Sequence, residues 1–495
     1  MNPIFQISRN SITLQKLQEI QEKDLKLDLD PELRVLLYNQ RIKLDLILST
    51  NDKPIYGINT GFGSLCNTKI PDDQLHELQS NLVRSHACGF GAYVSEDLAR
   101  LVLLLKIIGL SQEYSAVRPE LIEFLILLYN HRIIPVIPEM GSLGASGDLA
   151  PLAHLSLSAI GEGLVNYNNK ILESNTVFKD LNIKVPFLKA KEGLALLNGT
   201  QYSLALLITA VLKARRCYHQ ANLNAALSME SFNCNISFLH PKIQEIRNQS
   251  GQVHAANEIS SWLVDSDIQT RSNKSVQDPY SFRCAPQVHG ASFDAIKYCE
   301  TIAENELNSV TDNPLLISST EVISGGNFHA QPLALASDFL CLATTELANI
   351  SERRIYQLIC GTRGLPDFLT NEPGLNSGFM IVQYAAAAAV SMNKQLSSPA
   401  SVDSIISSKG QEDHVSMAAN AGLKCNKIAE QTELVLAMEW MTATRAWNFR
   451  KDWKLQNNLE KYYKNYLDII PFKKEDHIPS NDYEKTILYL RSIAY

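Results

Sequence analysis

Apolar residues recur every three to four positions along most of this chain, the spacing of helices that bury one face. The pattern predicts helices over 96–110, 119–132, 204–229, 291–310, 332–360, 379–396 and 414–450. Pro332 suits a first helical turn, where its missing N–H costs nothing. The alanine run 385–389 has high helix propensity and lets helices approach closely. Strand-like alternation is short, as over 181–185. Several long, largely apolar helices cannot bury themselves in one layer, so the expected fold is mainly α: a long central helical bundle with contacts between copies. A soft boundary divides an N-terminal part, 1–190, from the bundle and C-terminal region, 191–495. Gly- and Asn-rich breaks between helices are the natural places for functional groups.

Charge and cysteine usage narrow the classes. The 495 residues carry 45 Lys+Arg against 52 Asp+Glu, a formal net charge of −7. No basic stripe points to nucleic acid. Nine scattered cysteines form no Cys-x-x-Cys pair, which argues against a disulfide framework or zinc knuckle and for a reducing cytoplasm. The N-terminal residues lack the apolar core of a signal peptide. The uncharged stretch 373–393 is interrupted by Asn376, Gln383, Tyr384 and Ser391, which favours a bundle helix over a membrane span. Gly61 and Gly63 do not extend to Gly-x-Gly-x-x-Gly, because Cys66 takes the last place, so a dinucleotide site is disfavoured. His329 and His414 lack the usual ligand spacing, and no metal is expected.

Candidate chemistry lies in Ala145-Ser146-Gly147. If the Gly147 nitrogen attacks the Ala145 carbonyl and two waters leave, one from the Ser146 side chain, the product is a methylidene-imidazolone with an electrophilic methylene. Serine supplies the hydroxyl that is lost, and glycine offers an unhindered nitrogen and tolerates the turn. Asp148 either positions that turn or caps a helix starting near Leu149. The triplet alone is a weak signal, since Gly and Ser are ordinary turn residues.

Its surroundings strengthen it. The string Gly-Ser-Leu-Gly-Ala-Ser-Gly-Asp-Leu-Ala-Pro-Leu-Ala-His, residues 141–154, resembles the signature of the histidine and aromatic amino-acid ammonia-lyases. Tyr56-Gly-Ile-Asn-Thr-Gly-Phe-Gly63 and Gly193-Leu-Ala-Leu-Leu-Asn-Gly-Thr-Gln201 resemble that family's tyrosine loop and asparagine motif. Gln277-Asp-Pro-Tyr-Ser-Phe-Arg283, Gly325-Gly-Asn-Phe-His329 and Gln411-Glu-Asp-His-Val-Ser-Met417 follow in the family's order.

The resemblance implies autocatalytic formation of the methylidene-imidazolone from Ala145, Ser146 and Gly147, with no external cofactor. It implies elimination of ammonia from L-histidine to give trans-urocanate, the first step of histidine degradation. A tyrosine ammonia-lyase or aminomutase on the same scaffold is the alternative. A rival of another class is a catalytically silent helical assembly protein.

An amine is a poor leaving group and a β-proton is barely acidic; an electrophile addresses the first and a positioned base the second. By resemblance Tyr56 is the base, although a free phenol titrates near ~10 and needs help to act near neutrality. Arg283 suits the substrate carboxylate through its planar fork, with Tyr280 beside it. Asn198, Gln277 and Asn313 orient the electrophile and amine, and Phe328 lies near the electrophile. His86, in Ser85-His86, and Glu412 occupy the positions that read the side chain, where phenylalanine lyases carry apolar residues and glutamine. A carboxylate and an imidazole can pair with both nitrogens of a substrate imidazole. A hydrocarbon ring would leave them buried and unpaired. The family's homotetrameric assembly further implies shared sites, with the triplet, Tyr56 and Asn198 from one chain, Tyr280 and Arg283 from a second, and Phe328 from a third.

Overall fold

The computed structural model describes residues 3–50, 53–450 and 452–494. Among these the chain is mainly α, with eighteen α-helices and nine short strands. Helix Glu96–Leu110 falls where the apolar pattern places it. Ser95 caps it, its Oγ accepting from the Leu98 N–H at 3.3 Å, and Glu96 and Asp97 favour the positive end of the helix dipole. The helix is buried nearly all round, as its unbroken apolar sequence requires. Helices Gln201–Phe232, Ala285–Leu307, Gln331–Ile359 and Ala418–Trp447 are the long members. Gln331–Ile359 is apolar enough to cross a bilayer by composition, yet 67% of its most apolar window is buried within the protein.

The alternation over 181–185 is not a strand. Helix Ser174–Asp180 ends there: Asn182 takes φ 53°, its N–H donates to the Lys179 carbonyl, and the Ile183 N–H donates to the Phe178 carbonyl at 2.8 Å. Those paired bonds close a helix C-terminus, so the local alternation serves a cap. The strands lie elsewhere. Leu164–Tyr167 and Lys170–Glu173 form a hairpin whose two-residue loop, Asn168-Asn169, has positive φ at both residues, as the tightest hairpin turn demands.

Chain contacts define two compact units. The first comprises the residues up to Thr209 with Glu300–Asp338 and Pro399–Leu423. It holds the triplet, the tyrosine loop and the asparagine motif. The second comprises Ala210–Cys299, Phe339–Ser398 and the residues from Lys424 onward. Its core centres on the fully buried Trp440, with Phe232 and Phe282 stacked at 4.6 Å between ring centroids. Arg354 and Glu439, both fully buried, pair inside it, and Arg354 also donates to the Ser281 carbonyl at 3.2 Å. That bond ties down the short helix Tyr280–Arg283.

Candidate active site

The triplet occupies a turn pinned from two sides. Gly147 has φ +77°, and a Cβ there would meet the Gly199 carbonyl oxygen at 2.2 Å, so only glycine fits. The Asp148 N–H donates to that same oxygen at 2.8 Å. On the other side the Met417 N–H donates to the Leu143 carbonyl at 3.1 Å, while Ala145 packs with Val415 and Met417.

Asp148 stands at the N-cap of helix Leu149–Leu157 but makes no side-chain capping bond. Its buried carboxylate instead accepts from Ser142 Oγ (2.8 Å), Ser203 Oγ (2.7 Å) and the Ser203 N–H (2.8 Å). Burial pushes this carboxyl up and the three donors pull it down. Of the two roles open from the sequence, the geometry supports fastening of the turn.

A cavity of about 550 Å³ opens beside the triplet, built wholly from the first unit. Tyr56, His86, Ser146, Asn198, Asn313, Phe328 and Glu412 all line it. Asn198 follows helix Glu192–Leu197, and its Nδ2 donates to the Ser146 carbonyl oxygen at 2.6 Å. Its Oδ1 is buried with no hydrogen-bond partner among the described residues. Ser146 Oγ donates to Glu412 Oε1 at 2.6 Å, while Glu412 Oε2 accepts from Ser407 Oγ (2.9 Å) and Ser408 Oγ (3.1 Å). Glu412, expected as a reader of the substrate side chain, thus also holds the hydroxyl that cyclisation would remove.

His86 Nδ1 lies 2.9 Å from the Leu82 carbonyl. Ser85 Oγ lies 3.0 Å from the same nitrogen; a carbonyl only accepts, so the contact with Leu82 is a hydrogen bond in the tautomer protonated on Nδ1, which leaves Nε2 as an acceptor. Asn313 lines the cavity with its amide engaged: Nδ2 donates to Ser324 Oγ at 2.9 Å, and Oδ1 accepts from the Gly325 N–H at 2.6 Å. In this arrangement it fixes the segment leading to Phe328. Phe328 itself lines the cavity of the same chain as Tyr56, where the resemblance assigns it to a third chain.

Tyr56 Oη accepts from the Gly63 N–H at 3.3 Å. Burial pushes the phenol above its ordinary value, the Gly63 bond pulls it down, and the charge of Glu412 adds to the upward push. A base at this position therefore needs a cation to favour the phenolate.

Gln277, Tyr280 and Arg283 belong to the second unit. The Arg283 guanidinium lies 4.3 Å from the Tyr280 ring centroid, and its Nε donates to the Asp278 carbonyl at 3.1 Å. Asp278 is itself held by Arg363 at 2.9 Å. Tyr280 is 71% exposed, unusual for a large aromatic.

His329 Nε2 and His414 Nδ1 approach to 3.3 Å; among the described residues no cluster of three or more His, Cys, Asp or Glu could hold a metal. The residues missed from sequence do not line the cavity; Lys106 meets it through the carbonyl of Asn198. Lys106 is 1% exposed, and Lys191 pairs with Asp312, which Ser115 also contacts. The available signal was a lone lysine inside the apolar run Leu101–Leu110.

A helical fold that presents a pinned Ala-Ser-Gly turn to a cavity with a tyrosine, an asparagine and a carboxylate defines a class. The aromatic amino acid lyase family model matches residues 12–467, and the chain belongs to that family. A curated histidine ammonia-lyase of Staphylococcus saprophyticus is 41% identical over 497 residues, covering 99% of each chain. The crystal structure of histidine ammonia-lyase from Trypanosoma cruzi superposes with a TM-score of 0.91 at 37% identity, covering 99% of this chain and 93% of that one. A tyrosine aminomutase from Streptomyces globisporus superposes with a TM-score of 0.93 at 32% identity, covering 99% and 96%.

Proposed function

We propose that this carbon–nitrogen lyase eliminates ammonia from L-histidine to give trans-urocanate, opening histidine degradation. The observation that carries the reading is the pair Glu412 and His86 on the wall of the cavity that also holds Ser146. A carboxylate and an Nε2 acceptor suit the two N–H groups of an imidazolium ring. The histidine ammonia-lyase names of relatives near 41% identity support the same substrate.

The residues around the triplet fit a methylidene-imidazolone made from it. The Ser146 carbonyl, which the ring would keep, is the group that Asn198 already holds, and the turn has no room for a side chain at Gly147. Such a group supplies an electrophile for the substrate amine. Asn198 orients it through Nδ2, and Asp148 fastens the turn. Tyr56 Oη takes the β-proton. Glu412 and His86 Nε2 bind the imidazole, and Phe328 covers the ring electrophile with apolar surface. Arg283 binds the carboxylate, with Tyr280 and Gln277 beside it.

Arg283 and Tyr280 reach this cavity from a neighbouring copy in a homotetramer. Exposed Leu335, Phe339, Leu342 and Tyr356 on one long helix, and Ile381 and Tyr384 on another, support burial between copies. The same cation answers the electrostatic need of Tyr56. With no disulfide among the described residues, the reading extends to a reducing cytoplasm.

Purified protein offered L-histidine, L-tyrosine and L-phenylalanine separately should release urocanate far faster than coumarate, cinnamate or a β-amino acid. Coumarate or β-tyrosine as the main product would move the assignment to the tyrosine-acting members. Glu412→Gln and His86→Leu should each lower kcat/KM for histidine about 10- to 100-fold, the scale of one buried polar group left unpaired. They should also raise activity on less polar aromatic amino acids relative to histidine. Unchanged histidine kinetics in both would remove these residues from side-chain recognition.

A phenolate base also fixes the sign of the pH dependence. The active form grows as pH rises, so kcat, which reports the bound complex and not the titration of free substrate, should climb towards tenfold per unit between about pH 5.5 and 7. Because the phenol is pushed up by burial, replacing Arg283 by Ala should move this limb to still higher pH. A pH–rate profile flat through that range would rule out Tyr56 as the titrating base.

A further inference from the structure

Helix Glu96–Leu110 buries two charged groups: Arg100, which pairs with Asp24, and Lys106, which is 1% exposed and lies inside the apolar run 101–110. Its Nζ donates to the carbonyl oxygens of Ala195 at 3.1 Å and Asn198 at 2.9 Å. These carbonyls lie at the end of helix Glu192–Leu197, where the last C=O groups lack helical partners and the dipole favours a cation. Burial pulls the ammonium down from its ordinary value; Asp312 and Asp148 oppose that, and Lys191 adds to it. A lysine this costly to bury, with no contacting carboxylate among the described residues, needs a reason beyond packing.

Asn198 supplies one. Its N–H donates to the Leu194 carbonyl at 2.8 Å, its carbonyl is held by Lys106, and its side-chain Nδ2 reaches the Ser146 oxygen. The backbone of this residue is therefore clamped at both ends, and the clamp aims the amide.

We propose that Lys106 is a positioning residue, its ammonium fixing the Asn198 carbonyl and thereby aiming the Asn198 amide at the triplet. The inference rests on the reading of Asn198 given under Proposed function. Its reach is the maturation of the triplet and the turnover step, with little effect on substrate binding.

The test is a double-mutant cycle on the full-length protein: wild type, Lys106→Met, Asn198→Ala and the double variant. Two readouts are taken, kcat and KM for L-histidine, and the rate at which newly made chains lose two waters by intact mass. Lys106→Met should lower kcat about 10- to 100-fold with KM within about threefold, as for a charge-assisted hydrogen bond that acts in the transition state. It should also slow maturation. In the Asn198→Ala background the same substitution should cost less than about threefold in either readout, because the side-chain amide it aims is gone. Should the methionine variant fail to fold, Lys106→Gln replaces it in the same cycle. Wild-type kcat together with wild-type maturation in the Lys106 variant would overturn the proposal, as would full multiplicative losses in the Asn198→Ala background. The mass readout needs no substrate, so a wild-type protein inactive on histidine would refute the function while leaving this inference to be decided by maturation.

Discussion

Ser146→Ala should leave the fold intact and abolish nearly all turnover. Alanine removes one hydroxyl from a half-buried position whose backbone is pinned by Asn198 and the neighbouring glycines, so thermal unfolding should stay within a few degrees of wild type. Activity depends on that hydroxyl in a different way. Without it the triplet cannot yield an exocyclic methylene, and the amine must leave without an electrophile to receive it. The expected loss is about a thousandfold or more, equivalent to about 4 kcal/mol of barrier. Substantial residual turnover in a folded Ser146→Ala protein would show that the serine does not supply the electrophile.

The second large effect concerns assembly. The cavity wall comes from one unit of the chain, while Arg283 and Tyr280 stand on the other, with Tyr280 exposed. If a neighbouring copy delivers Arg283, then Ser146→Ala and Arg283→Ala are each nearly inactive but complementary. Co-expressed in equal amounts and mixed at random in a symmetric tetramer, they should recover about a quarter of the wild-type sites. Native mass spectrometry confirms mixing. Mixed tetramers that remain inactive would place both residues in a single chain's site. Phe328 is unchanged in both variants, so the mixing arithmetic is the same whichever chain supplies it.

The helical fold was legible because long amphipathic and apolar helices write their period into the sequence, as at Glu96–Leu110. Short elements were less so. The alternation over 181–185 belongs to a helix cap, decided by Asn182 in a left-handed conformation rather than by apolar spacing. The hairpin Leu164–Glu173 carried its signal in the two asparagines of its turn, which periodicity does not weigh.

At the site, motif context found the residues that face the cavity, since their side-chain types are set by chemistry. Their supporting bonds were not readable. Glu412 bonding to Ser146 and Lys106 beneath Asn198 join residues far apart in sequence, and Asn313 spends its amide on Ser324 and Gly325 across an intervening hairpin. Such contacts depend on where the fold returns the chain. The sequence records only an oddity, such as a lysine inside an apolar helix.

The central claim is that this chain makes its own electrophile from Ala145, Ser146 and Gly147. Mass spectrometry of the active, unmodified protein tests it most directly, first on the intact chain and then on the peptide spanning the triplet. The account predicts a chain lighter than its sequence by two waters, with the whole deficit inside the peptide that contains residues 145–147. An active preparation with the full sequence mass, or a deficit mapped to another peptide, would contradict it.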